Sequence, residues 1–435
     1  MGMTITEKIL AAHAGKEKVH PGEILMVKVD VNLANELSAA LAIDEFKKIE
    51  GASRILDPKT AVFVPDHFTP NKDIATANLV HRVREFALEQ EAIWFEVGRA
   101  GIEHCVLPQN GLVGPGDLII GGDSHTTTYG ALGAFATGVG STDVAVAWAL
   151  GETWLRVPPS IKLIYHGAAQ PWVVGKDVIL HTIGMITVDG ATYKAMEFHG
   201  EALKTMPFAS RFTMANMSIE AGAKNGIFHV DELTREFLAD VHKANYTEFV
   251  SDPDADYDSV VEIDVSQIEP QVAYPSLPGN AHPISEAPPV KIDQVVIGTC
   301  TNGWIEDMRQ AADVLRGQKV APGVRCIIVP GSQMIYKQAL HEGLLNIFAE
   351  ADCIVSTSTC GPCIGGHMGV LGENEVCVST TNRNFVGRMG ARSAQIYLAN
   401  PAVAAASAVA GELTSPETIV GTRPPAPIDH EPVAA

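Results

Sequence analysis

Two cysteines in the run Ser356-Thr357-Ser358-Thr359-Cys360-Gly361-Pro362-Cys363-Ile364-Gly365-Gly366, with a third in Gly298-Thr299-Cys300-Thr301-Asn302, constrain this chain more than anything else in it. Apolar, β-branched runs precede both segments: Gln294 to Ile297 before Cys300, and Ile354-Val355 before Cys360. A strand that stops in a small, glycine-rich loop presents its last side chains at the carboxyl edge of a sheet, where open α/β sheets place ligands. The C-x-x-C spacing lets two sulfurs face one metal centre, and Cys300 can add a third from another strand. Gly361, Gly365 and Gly366 let backbone N–H groups come close to sulfur, a contact that tunes such a centre.

The count of thiols is informative. An electron-transfer cluster is usually held by four cysteines, and a structural zinc by four closed ligands. A cluster held by three leaves one iron open to a hydroxyl or carboxylate, and an open iron is a Lewis acid. Two plainer readings fit the same residues: a buried thiol pair, or a zinc completed by His367, four residues after Cys363.

Composition narrows the class. A net charge of −20 disfavours nucleic-acid partners, which need a positive field. No charged n-region followed by an apolar stretch opens the chain, because Glu7, Lys8 and His13 interrupt it. The weakly charged stretch Ala131 to Leu150 is broken by glycines and reads as a buried helix, not a membrane span. Seven cysteines without a signal peptide point to a reducing, cytoplasmic setting. Cys105, Cys326, Cys353 and Cys377 lie among apolar residues and read as core.

Along the chain, Thr4-Ile5-Thr6-Glu7 predicts a capping box. Strands are expected at 23–31, 61–64 and 118–120, and helical spacing over 32–49 and 71–90. The pattern restarts from Ile161, and strands return at 294–297, 326–329, 353–355 and 376–378. This alternation predicts an α/β fold with mostly parallel sheets covered by helices. Glu269 to Pro289 holds six prolines and is the best linker candidate. Three α/β domains follow: 1–155, 156–280 ending in that linker, and 281–435 with the cysteines. The Pro-rich tail from Thr422 is expected to fray.

Polar groups recur at strand ends. Asp66-His67 follows one strand, Asp123-Ser124-His125 another, and Cys300 and Cys360 two more. Singly, each is an ordinary turn residue. Together, an Asp beside a His orients it and raises its basicity for proton transfer. His104 can join them or be a satisfied buried histidine, and Glu197 and His199 share a strand face. Asn382-Arg383-Asn384-Phe385-Val386-Gly387-Arg388 brings two guanidiniums, whose forks match carboxylates; surface ion pairing is the plain alternative.

Gly122-Asp123-Ser124-His125-Thr126, Gly298-Thr299-Cys300-Thr301-Asn302, Cys360-Gly361-Pro362-Cys363 and Asn382-Arg383-Asn384-Phe385-x-Gly-Arg388 together resemble the aconitase superfamily, in the branch whose active site is split between two subunits. The motifs are in the family's order and spread from about residue 60 to 410. The resemblance implies three α/β/α domains around a 4Fe-4S cluster held by Cys300, Cys360 and Cys363, with one iron not ligated by protein. It implies that Asp66, His67 and His104 handle the proton of the leaving hydroxyl, and that Asp123, His125 and Glu197 hydrogen-bond the iron-bound water or hydroxyl. Arg383 and Arg388 would hold substrate carboxylate, with Asn382 shaping the loop and Ser124 supporting it.

Single-chain aconitases carry a further swivelling domain with a Gly-Ser-Ser-Arg type motif, which does not occur here. The expectation is a separate small subunit that completes the site. Near Lys28-Val29-Asp30-Val31-Asn32 this chain also departs from the Gln-Asp pair of many relatives. The activity implied is a hydro-lyase acting on a hydroxy-dicarboxylic acid, first of all 3-isopropylmalate. Homocitrate, 2,3-dimethylmalate and maleate or citraconate are the alternative substrates. A non-catalytic RNA-binding or zinc-binding protein is the alternative of another class.

Overall fold

A computed structural model describes residues 2–422 of the chain. The Pro-rich tail lies beyond the described residues. Three mostly parallel sheets form the α/β frame. The first has five parallel strands in the order Ile93–Trp94, Ala61–Phe63, Val31–Ala34, Leu118–Gly121 and Phe135–Gly138. The second has four parallel strands, Asn225–Phe228, Ala195–His199, Ser160–His166 and Ser259–Asp264. The third runs Ala281–Pro283, Gln271–Ala273, Gln395–Ala399, Val376–Ser379, Gln294–Gly298, Arg325–Val329 and Ile354–Val355. Only its first two pairings are antiparallel.

Strands buried on both faces read as continuous apolar runs, and Leu118-Ile119-Ile120 and Val295-Val296-Ile297 are fully buried in that way. One apolar core joins the sheets: Leu33 and Ile119 from the first, Leu163 and Phe198 from the second, Val296 and Ile328 from the third. Phe212 stacks on Trp304 with centroids 4.2 Å apart, fastening the helix Ala209–Met217 to the segment after Cys300. Such aromatic pairs contribute about 0.5–1.5 kcal/mol beyond their buried area.

The predicted capping box forms: Thr4 Oγ1 accepts from Glu7 N at 3.3 Å, and Thr4 N donates back to Glu7 at 2.7 Å. Three expectations are corrected. The strand predicted over 23–31 ends at Lys28, and a new strand, Val31–Ala34, opens where helical spacing had been read. All four of its residues are buried between two parallel neighbours, so sheet burial wins over the local period. The stretch 131–150 is not one helix: Gly133 turns left-handed at φ 79, and a strand, Phe135–Gly138, precedes the helix Ser141–Leu150. The Pro-rich linker candidate is sheet: Gln271–Ala273 and Ala281–Pro283 pair as a hairpin, and Val272 joins Ala399. Prolines are tolerated there because the hairpin lies at the sheet's edge. No helix among the described residues is long and apolar enough to cross a membrane.

Candidate active site

Four strand ends meet at one place. Ala61–Phe63 leads to Asp66 and His67, Leu118–Gly121 to Asp123 and His125, Gln294–Gly298 to Cys300, and Ile354–Val355 to Cys360. Gly298 sits at φ 124, and a Cβ there would come within 1.9 Å of the Val329 carbonyl. Thr299, although β-branched, is left-handed at φ 69, so the backbone immediately before Cys300 is strained. At Gly361 a Cβ would meet the His367 ring 2.3 Å away.

Cys300, Cys360 and Cys363 line one cavity with His67, His104, Asp123, His125, Asn382 and Arg388. The cavity holds only about 20 Å³, far below the roughly 300–1,000 Å³ of ordinary ligand pockets. By itself the chain walls a reacting centre without enclosing a whole substrate. All three thiols are buried. Asn216 and Asn382 each direct an amide nitrogen to Cys300 Sγ at 3.5 Å, and Arg388 Nη2 lies 3.5 Å from Cys363 Sγ. The thiol of Cys360 hydrogen-bonds to Cys300 and, against burial, pulls Cys300 down to about 5. His367 does not join them: its Nε2 pairs with Thr359 Oγ1 at 3.1 Å, outside the cavity.

The acid–base groups form a connected set. His67 Nδ1 is 2.5 Å from Asp66 Oδ1, and its Nε2 is 3.7 Å from Asp123 Oδ2. Burial alone would push His67 down, but Asp66, with Asp123 and Glu36 behind it, holds it well above the usual imidazole range. His104 bridges Asp123 Oδ1 at 2.9 Å and Tyr129 Oη at 3.2 Å. Asp123 also accepts from the His125 backbone N–H at 2.7 Å. Burial would raise Asp123, yet its bonds to His104 and His125 hold it well below the usual carboxylate range. Burial and the charge of Arg383 oppose a proton on His125, but Asp123 and Glu220 outweigh them and raise it. Behind this set, Asp66 Oδ2 accepts from Glu103 N at 2.8 Å, and the Glu36 carboxylate accepts from Asp66 N at 3.0 Å.

Several residues act here that strand-end reading cannot find. Glu220 Oε1 takes both His125 Nε2 at 2.9 Å and Arg383 Nε at 2.8 Å. Asn216 stands on one turn of the same segment, four residues earlier. Lys176, fully buried, donates to the carbonyls of Thr380 and Thr381 at 2.9 and 2.6 Å and so sets the turn before Asn382 and Arg383. Burial pulls this lysine down to about 7. Ser124 sits beside the cavity, its Oγ 3.4 Å from His125 Nδ1. Arg383 reaches the cavity through Glu220. Glu197 is not brought to the cavity; its carboxylate faces His199 and His229 on the second sheet.

An open strand-edge site of buried thiols, paired imidazoles and carboxylates, and arginine forks defines a class of metallocluster hydro-lyases, and comparison places the chain in it. The aconitase family (aconitate hydratase) is matched over residues 7–291 and 285–411, and the chain belongs to that family. Among its relatives, the 3-isopropylmalate dehydratase large subunit of Moorella thermoacetica is 60% identical over 421 residues, 97% of this chain and 100% of that protein. The protein of the same name from Aquifex aeolicus is 57% identical, covering 97% and 98%. The 3-isopropylmalate dehydratase large subunit 1 of Pyrococcus furiosus is 58% identical, covering 96% and 99%.

Membership of the aconitase family implies a 4Fe-4S cluster. The donor set fits one: three buried thiols face a common space, amide and guanidinium donors point at two of the sulfurs, and the buried Nε of Arg388 has no partner among the described residues.

Proposed function

We propose that this chain is the cluster-bearing large subunit of a cytoplasmic hydro-lyase that interconverts 3-isopropylmalate and 2-isopropylmalate, the isomerisation step of leucine biosynthesis. One observation carries the reading: Cys300, Cys360 and Cys363 share a cavity with His67, His104, Asp123, His125, Asn382 and Arg388. When bound to the three cysteines, the cluster, with one iron lacking a protein ligand, supplies Lewis-acid polarisation of the substrate hydroxyl.

The protein groups supply the rest. His67, kept protonated by Asp66, is placed to give a proton to the departing hydroxyl and to take it back on rehydration. Asp123, kept ionised, holds the His104 ring at Nε2 and the His125 backbone at its N–H, and both histidines line the cavity. Arg388 offers its guanidinium to a substrate carboxylate at the thiol face, and Arg383 is held ready by Glu220. Dehydration also removes a carbon-bound proton, so the site needs a base for it, which returns the proton to carbon on rehydration. The small cavity and the resemblance both support leaving that base, and the wall around the substrate's side group, to a small-subunit partner.

The test is turnover of 3-isopropylmalate by the anaerobically prepared chain, alone and with a small subunit of this family. Interconversion appearing only in the mixture supports the reading. Full turnover by this chain alone would refute the split site, and no turnover of 3-isopropylmalate alongside turnover of another hydroxy diacid would refute the substrate.

A further inference from the structure

Glu197, which the cavity does not use, sits at the centre of a second group of ligand-type side chains. Its Oε1 lies 2.8 Å from His199 Nε2, 2.9 Å from His229 Nε2, 2.6 Å from Ser251 Oγ and 2.8 Å from Tyr257 Oη. The two imidazole nitrogens are 3.2 Å apart. Four possible donors converge on one oxygen, which offers about two lone pairs, while Oε2 is buried with no hydrogen-bond partner among the described residues.

Protons alone satisfy this arrangement poorly. If both Nε2 atoms carry hydrogen, two N–H bonds crowd into one space. If one does not, its lone pair faces the carboxylate. A cation at the junction removes both conflicts, because each imidazole then offers its lone pair to the metal and Glu197 supplies the negative charge.

The spacing is within reach of an ion. A tetrahedral ion with bonds of about 2.0–2.2 Å has ligand–ligand edges of about 3.3–3.6 Å; the imidazole nitrogens stand 3.2 Å apart, and the two Glu197–imidazole edges, 2.8 and 2.9 Å, must open as the ion enters. Two histidines and one carboxylate are a zinc-type donor set. Glu197 is fully buried, while the side chains of His199 and His229 keep 20% and 22% exposure, so an ion can enter from solvent and keep a water.

The fold explains the convergence. Glu197 and His199 share one face of the strand Ala195–His199, and His229 follows the neighbouring parallel strand, where Phe228 pairs with Phe198. Ser251 and Tyr257 come from the later loop, and Ser251 Oγ also accepts from Ile5 N at 2.7 Å.

We propose that Glu197, His199 and His229 form a second metal site for a divalent zinc-type ion, separate from the three cysteines, that ties the second sheet to the 251–257 loop and through it to the N-terminal helix.

The test uses the full chain with its cysteine site loaded anaerobically, dialysed free of loose metal and titrated with Zn²⁺ or Co²⁺. The expected result is about one further equivalent bound per chain, with a rise in thermal midpoint by mass action. Bound Co²⁺ should show ligand-field bands of nitrogen and oxygen ligation, without thiolate charge transfer. This spectrum reads the ligand type whatever group the cysteines hold, and it needs no variant. The double variant His199→Ala with His229→Ala should lose the extra equivalent and the thermal rise while keeping its iron and sulfide. Absence of uptake by the wild-type chain, unchanged uptake by the double variant, or a thiolate spectrum would each overturn the proposal.

Discussion

The Glu220 carboxylate lies 2.8 Å from the Arg383 guanidinium and ties the end of the second sheet's helix to the arginine loop of the third. The same oxygen holds His125 at 2.9 Å. Glu220→Gln keeps the shape and removes the charge, leaving a buried imidazole and guanidinium without their shared counter-ion. The expected result is a fall in kcat of roughly 10²-fold or more, with iron and sulfide content unchanged. Loss of the cluster together with activity would mean that Glu220 supports the fold rather than the reaction.

Arg388 faces both Cys363 and the open space of the cavity. Lysine keeps the charge and loses the planar fork. Losing a hydrogen bond to a charged group costs about 1.5–3 kcal/mol, so Arg388→Lys should raise KM about 10- to 100-fold. Steady-state kinetics checks this against an unchanged visible absorption of the cluster.

The cysteines divide by position. Cys360→Ser should abolish both iron–sulfide content and activity. Cys353, just before the strand Ile354–Val355 and outside the cavity, should tolerate serine with at most a loss of stability. Equal loss from both would show that the ligands are assigned wrongly.

Far from the cavity, His13 Nε2 pairs with Asp30 Oδ2 at 2.7 Å, and Asp30 also accepts from Leu118 N at 2.8 Å. Burial works against both charges, but each partner outweighs it: His13 is raised and Asp30 lowered. The raised histidine stabilises the fold below its unfolded value of about 6.5 and loses that contribution as pH rises through its folded value. The lowered aspartate contributes above about 3.9 and loses it as pH falls. The pair should therefore help most between these values. His13→Gln should cost up to about 1 kcal/mol near pH 6 and less near pH 9, discounted because Asp30 is partly exposed. Urea midpoints at the two pH values measure the difference.

What the sequence shows and what it hides separate along physical lines. Cys300, Cys360, Asp66, His67, Asp123 and His125 follow apolar strands, so local pattern alone places them on sheet edges. Glu220, Asn216 and Lys176 lie within helices or turns; the first two meet cavity residues, and Lys176 the turn before Asn382, only through long-range packing, which no local period encodes. Glu197 shows the limit of strand-face reasoning: alternation pairs it with His199 but does not say which face meets the cavity. The hairpin at Gln271–Ala273 and Ala281–Pro283 was hidden by its prolines, and the strand Val31–Ala34 by a helix-like period that burial in the sheet overrides.

On the proposed reading, Cys300, Cys360 and Cys363 hold a cluster with one open iron. Anaerobic purification followed by iron, sulfide and zinc analysis, with an EPR spectrum after mild oxidation, tests it most directly. The expected result is about four iron and four sulfide per chain at the cysteines, converting to a three-iron signal as the open iron leaves. Zinc at the cysteines without sulfide would contradict it and make them a structural site.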